Sequence, residues 1–372
     1  MTADTTTHQI PADPDEGSLD EVVRGGEPPV DDAAETDYDS TPKLGRRSGF
    51  YVLRKSVREF REDHAIDGAA SLTFYAVLAL FPAAIALLAL LGVVGGAGAV
   101  DKLTGALGPL LPPSVLHDLQ APLAAIVGST VAPLTLLVGV VAALWAASGY
   151  VGAFGRAMNR AYETEEGRAA WRLRPTNLFV TVVTAVLSAI AVAILAVSGP
   201  VADSVGSQLG LGDQALTVWG IAKWPVLAIV VLATVAVLYH FTPNVRLPFK
   251  VLSAGAFVAV LVWLVASFGV ALYMVSFSSF DKVYGSLAGA VVVLLWLWVT
   301  NLGLLYGAEL DAEVERAREL HRGVPAEERI QAPPRSASRI ERAEKRRARD
   351  VAKGRAIRES RAGSGNPLDR PF

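Results

Sequence analysis

Six stretches of this chain, at about residues 69–95, 132–152, 178–199, 219–240, 250–276 and 283–308, consist almost wholly of Ala, Val, Leu, Ile, Gly and aromatic residues. Each approaches the roughly 20 residues that carry a helix across a hydrocarbon core. No acidic residue falls inside any of them. Lipid offers no partner to a free backbone N–H or C=O, so each run must satisfy its own hydrogen bonds, as an α-helix does. The pattern predicts an all-α polytopic membrane protein with six transmembrane helices.

The charges lie outside these runs. The net charge of −2 conceals twelve acids against one base in residues 1–42, and eleven bases against four acids in residues 335–361. Residues 1–48 have too few large apolar groups to offset their ordering entropy, which predicts a disordered acidic tail. The membrane domain is expected over 49–322, followed at 323–372 by a basic tail, largely disordered or helical. Lys and Arg number seven in 43–61, one in 101–131, five in 153–177, none in 200–217, two in 241–250, one in 277–282 and sixteen from Asp311 onward. High and low counts alternate, so the positive-inside rule places both termini in the cytoplasm. Spans one to three and four to six then run in opposite senses, as two inverted three-helix halves would.

Two flanking segments have amphipathic spacing. Phe50, Leu53, Val57 and Phe60 form a stripe among Arg54, Lys55, Arg58 and Arg61, which predicts one surface helix over 50–67 leading into the first span. Leu116, Leu119, Leu123 and Ile126 suggest a short helix on the outer surface, either lying flat or acting as a re-entrant lid. The chain has no Cys, which excludes a disulfide scaffold, a reactive thiol and Cys-ligated metal. No apolar leader precedes residue 69, so a cleavable signal is not expected.

Five segments carry a family resemblance: AASLTFYAVLALFP at 69–82, GRAMNRAYETEEGRAAWRLR at 155–174, LYHFTPNVRLPFKVLSAGAF at 238–257, VYGSLAG at 283–289 and YGAELDAEVER at 306–316. In order and spacing the chain resembles the YihY/BrkB family of bacterial inner-membrane proteins over roughly 50–320. The motif positions are Phe81, Pro82, Asn159, Tyr162, Pro243, Asn244, Tyr284, Gly285, Gly307 and Glu309. The resemblance implies a bacterial plasma-membrane protein linked to virulence or serum resistance and to traffic of lipid or lipopolysaccharide. It also brings an old ribonuclease label.

The residues do not favour that label. His8, His64, His117, His240 and His321 are scattered along the chain, and only His64 has acidic neighbours. No spacing suggests a nucleophile with its base, or a set of metal ligands, so neither an enzyme nor a cofactor is expected. Pro82 removes an N–H from the first span and should kink it. With Ser71, Thr73 and Tyr75 it forms a candidate polar notch. Gly285 and Gly289 offer a small-xxx-small step. Arg156, Arg160, Arg172 and Arg174 are candidate contacts for lipid phosphates, because a guanidinium can grip a phosphate with two parallel hydrogen bonds. Membrane lipids, including anionic lipid held by this loop and the basic C-terminal tail, are therefore the expected partners; nucleic acid is not. The expected function is transport, or help in translocation, of a lipid-like amphipathic substrate. The alternative is a scaffold that recruits partners through its charged tails.

Overall fold

The computed structural model describes residues 46–95, 132–197, 202, 206, 212–249, 251–276 and 287–362. Its helices are α1 (Arg46–Glu62), α2 (Ala65–Gly95), α3 (Ala132–Ala161), α4 (Ala170–Ala196), α5 (Asp213–Phe241), α6 (Ala254–Ser276), α7 (Leu287–His321) and α8 (Ser338–Ala362). Six of these, α2 to α7, are long and apolar enough to cross a membrane. No strand forms among the described residues, only an isolated bridge between Val245 and Pro334.

The large apolar side chains of the spans face outward. Phe81, Trp145, Ile221 and Phe268 are exposed, whereas the buried positions are largely small: Ala69, Ala153, Ala157, Ala256, Ala259, Ala308 and Ala312. A chain in water would invert this arrangement. In lipid, where tails are as apolar as Leu, helices associate by close packing of small residues. Accordingly α2 lies along α3, α4 along α5 and α6 along α7, while α7 also packs on α2 and α1.

The tightest crossing joins α6 to α7. A Cβ at Gly255 would overlap the Gly307 carbonyl, and one at Gly307 would overlap the Gly255 carbonyl. Only hydrogen at both positions lets these backbones meet. At Gly289, by contrast, a Cβ would meet nothing within 4 Å. The close approach therefore involves Gly307 and not Gly289; the other member of the anticipated small-xxx-small step, Gly285, lies outside the described residues.

The helices outrun the hydrophobic runs at one end of the bundle. Where the apolar pattern places span ends at 152 and 308, α3 continues to Ala161 and α7 to His321. Hydropathy marks where lipid stops. Helical hydrogen bonding continues wherever packing supports it, here through MNRA in α3 and DAEVERAREL in α7.

The expected helix over 50–67 is broken. His64 adopts φ 52°, and α2 starts anew at Ala65. Of the anticipated stripe, Phe50, Leu53 and Val57 are exposed, whereas Phe60 packs inward, edge-on to Tyr306 at 5.6 Å between ring centroids. The opposite face, Val52, Lys55 and Ser56, is buried. Val52 packs on Leu310, Val314 and Ala317, and Lys55 Nζ lies 3.8 Å from the Glu313 carboxylate. Thus α1 docks on the polar extension of α7 and turns all of its apolar stripe but Phe60 outward. The anticipated outer helix over 116–126 lies outside the described residues.

Candidate functional site at the basic end of the bundle

The α3–α4 loop carries Glu163, Glu165, Glu166 and Arg168, and α5 ends in Thr242-Pro243-Asn244. Each segment leaves polar backbone groups that helical bonding cannot satisfy. They satisfy one another. Arg168 grips Glu166 bidentately, Nε to Oε1 at 2.9 Å and Nη2 to Oε2 at 2.8 Å. It also donates to the carbonyls of Phe241 at 3.2 Å and Thr242 at 2.5 Å, closing the C-terminus of α5. Burial opposes ionisation of Glu166, but the hydrogen bonds from Arg168 outweigh it and hold the carboxyl below its usual range.

Asn159 and Asn244 bind this clamp to the rest of the base. Asn159 Oδ1 accepts from the Asn244 N–H at 2.7 Å, while its Nδ2 donates to Glu166 at 3.2 Å. Asn244 Nδ2 donates to the carbonyls of Glu165 and Ser336, and its Oδ1 accepts from the Ser336 N–H. The family-motif positions Asn159, Asn244 and Pro243 therefore share one buried joint.

Ser336 belongs to a segment placed by the sequence in the C-terminal tail. From Gly323 to Arg335 the chain folds back under the bundle, burying Ala326 and Ile330. Arg335 donates to the carbonyls of Val245 at 2.8 Å and His240 at 2.6 Å. Arg316, 1% exposed, binds Glu313, the carbonyl of Ala326 and, at 2.7 Å, Glu163. Glu163 also accepts the Ile330 N–H at 2.9 Å. This segment is integral to the base, and α8 begins only after it.

A cavity of about 100 Å³ opens beside the joint, among the ends of α5, α6 and α7. Its polar lining includes Tyr162, His240, Asp311, Glu315 and Arg318. Asp311 caps the start of α6 by accepting the Gly255 N–H at 2.7 Å, and Arg318 donates to Glu315 at 3.0 Å.

The four arginines singled out from sequence stand apart from this lattice. Arg156, Arg160, Arg172 and Arg174 are all exposed. None forms a salt bridge with a described acid, and Arg172 lies 4.6 Å from the Trp171 ring centroid. The anticipated notch separates into unlike parts. Ser71 is exposed, α2 runs unbroken through Pro82, and Tyr75 packs against Gly149. Thr73 alone enters a buried polar chain: its hydroxyl accepts from Asn301 Nδ2 at 3.1 Å, and Asn301 Oδ1 accepts from Tyr150 at 2.9 Å. Of the remaining motif positions, Phe81 is exposed, Tyr162 and Glu309 are buried, and Tyr284 and Gly285 lie outside the described residues.

Sequence reading missed Asn301, Tyr150, Glu163, Glu166 and Arg316 as structural partners. An Asn inside an otherwise apolar run was the available signal for the first, since an uncapped amide in lipid is costly. The pairing of Glu163 with Arg316 had none, because 153 residues separate them.

The fold and its basic end define a six-span helical membrane protein with an interlocked polar base. The chain belongs to the family described as Virulence factor BrkB, whose profile matches residues 56–331. It is 30% identical over 183 residues to YfkH of Bacillus subtilis (strain 168), a protein named ribonuclease-like, covering 49% of this chain and 66% of that one. It is 34% identical over 91 residues to the membrane protein YihY of Escherichia coli O1:K1 / APEC, covering 24% of this chain and 31% of YihY. The same figures hold for YihY of Shigella boydii serotype 18. The chain thus spans less than two thirds of the length of these curated relatives. No solved structure matches it.

Proposed function

We propose that the protein binds anionic, amphipathic lipid at the cytoplasmic leaflet of the bacterial plasma membrane and assists its movement across or within the bilayer. One observation carries this reading: the five arginines of 153–177 are sorted. Arg168 is consumed by the base, whereas Arg156, Arg160, Arg172 and Arg174 remain exposed on the adjoining ends of α3 and α4. An orientation signal needs only positive charge, and Lys would serve equally. A ribonuclease reading gains no support from the base, whose Glu163, Glu166 and Glu313 side chains are engaged by Arg168 and Arg316.

Replacing the four exposed arginines by Lys keeps the charge and removes the planar fork. Insertion should be unchanged, and retention of phosphatidylglycerol in nanodiscs should fall about tenfold, the effect of losing ~1.4 kcal/mol of bidentate contact. Equal retention by both proteins would refute the phosphate-contact reading.

The orientation is tested in the same Cys-free background. Cys residues at 165 and 327, both exposed positions, should react with an impermeant maleimide only after permeabilisation. Cys residues at 105 and 279 should react in intact cells. Reaction at 165 in intact cells would reverse the assignment.

The scaffold reading draws on α8, a basic and mostly exposed helix tethered to the α3–α4 loop by Arg347 and Glu165 at 3.0 Å. Because 323–337 is part of the base, the informative truncation ends the chain at residue 338. A scaffold would lose its cellular phenotype on that truncation, and a lipid carrier would keep it.

A further inference from the structure

Glu309 lies where the apolar run of α7 gives way to its polar extension, only 4% exposed even without lipid around the bundle. It lines a void of about 10 Å³ with Asp63, Arg160, Ala157, Leu305 and Ala308. Such a volume is of the size that holds one water. Every other buried carboxylate of α7 has a partner: Glu313 and Glu315 bind arginines, and Glu319 accepts the Gln331 N–H. Glu309 forms no hydrogen bond or ion pair with any described residue.

The charges around it do not replace those partners. Asp63 and Glu59 come from α1 and the turn after it, Glu313 from α7 itself, and Arg160 from α3. Lys55 lies within 4.0 Å of both Glu59 and Glu313. Asp63 and Arg160 share the void with Glu309, whereas Glu59 and Glu313 are themselves paired with Lys55, Arg58 and Arg316. An ionised carboxylate buried without hydrogen bonds costs several kcal/mol, which a proton removes. Two carboxylates and a water also supply too few oxygens for the six or more that a hard metal cation prefers.

We propose that Glu309 is a proton-binding site, reached from the basic end of the bundle through the water-sized void and Asp63. Asp63 is suited to pass the proton on, since burial and then the Glu59 charge raise its own carboxyl above the usual range. The site sits two helical turns along the same face of α7 from Asn301, at the base of the Thr73–Asn301–Tyr150 chain. It thus provides a titratable group where α1, α2, α3 and α7 converge. The inference is independent of the lipid reading and would survive its failure.

Infrared difference spectroscopy of the full chain in nanodiscs, titrated in pH, tests the site. A carboxylic-acid C=O band should be present at pH 7.5, and E309Q should remove it. Removing a neighbouring negative charge should ease ionisation, so D63N should move the band's midpoint down, by on the order of one pH unit. R160Q should move it up. These two variants keep Glu309 and remain informative if E309Q does not fold. Absence of the band at pH 7.5, its survival in a folded E309Q, or midpoints unmoved in both D63N and R160Q would overturn the proposal.

Discussion

Gly307→Val and Gly255→Val should each cost the folded protein about 3–5 kcal/mol, at the top of the range for single substitutions. At both positions the nearest obstructing atom is a backbone carbonyl oxygen, and backbone cannot rotate away as a side chain tip does. An added Cβ at Gly307 would also stand 2.5 Å from the Tyr239 hydroxyl, which donates to the Leu304 carbonyl. The helices would have to separate, uncapping α6 from Asp311 and loosening the Gly303 contact with Val262. Gly269 on α6 and Gly289 on α7 provide matched controls, because a Cβ there meets nothing within 4 Å. Val at either control should change stability by less than about 0.5 kcal/mol. Denaturant unfolding in mixed micelles would read all four. Equal effects at Gly307 and Gly289 would show that the α6–α7 crossing does not depend on close backbone approach.

Arg168→Gln should destabilise the base by about 3–5 kcal/mol, the usual consequence of leaving one member of a buried charge pair without the other. Gln can reach one partner, whereas Arg168 serves Glu166 twice and the Phe241 and Thr242 carbonyls as well. Lys should recover only part of the loss, since it lacks the fork. The wild type should also carry an acid dependence that the Gln variant lacks. The folded Glu166 carboxyl titrates below its ordinary 4.5. Its contribution is therefore complete above that ordinary value and is lost as pH falls through the lower folded value. Unfolding midpoints measured from pH 7 to pH 3 should fall for the wild type and stay flatter for R168Q. Parallel curves would remove Glu166 as the source.

These two expectations draw on different kinds of information. The six spans were legible because lipid imposes a coarse rule, about 20 apolar residues without acid, that any local window satisfies or fails. Gly307, Asn159, Asn244 and Glu309 were legible only as motif positions, without roles. Their roles arise from contacts across 85 residues for Asn159 with Asn244, and across 52 for Gly255 with Gly307. No periodicity encodes such distances.

The sequence by itself determined that this chain is a six-span helical membrane protein, and marked one end of the bundle as basic. Tertiary structure alone decided which of those charges are structural and which are available. Arg168 and Arg156 are the same residue type within one short basic stretch, and local sequence cannot tell them apart. They differ because Glu166 and the end of α5 converge on the first and leave the second exposed. The same holds for the acids of α7, where Glu313 is met by Arg316 and Glu309 by a void. A charge acquires its role from the groups brought beside it and from the water kept away, and both are set only when the helices pack.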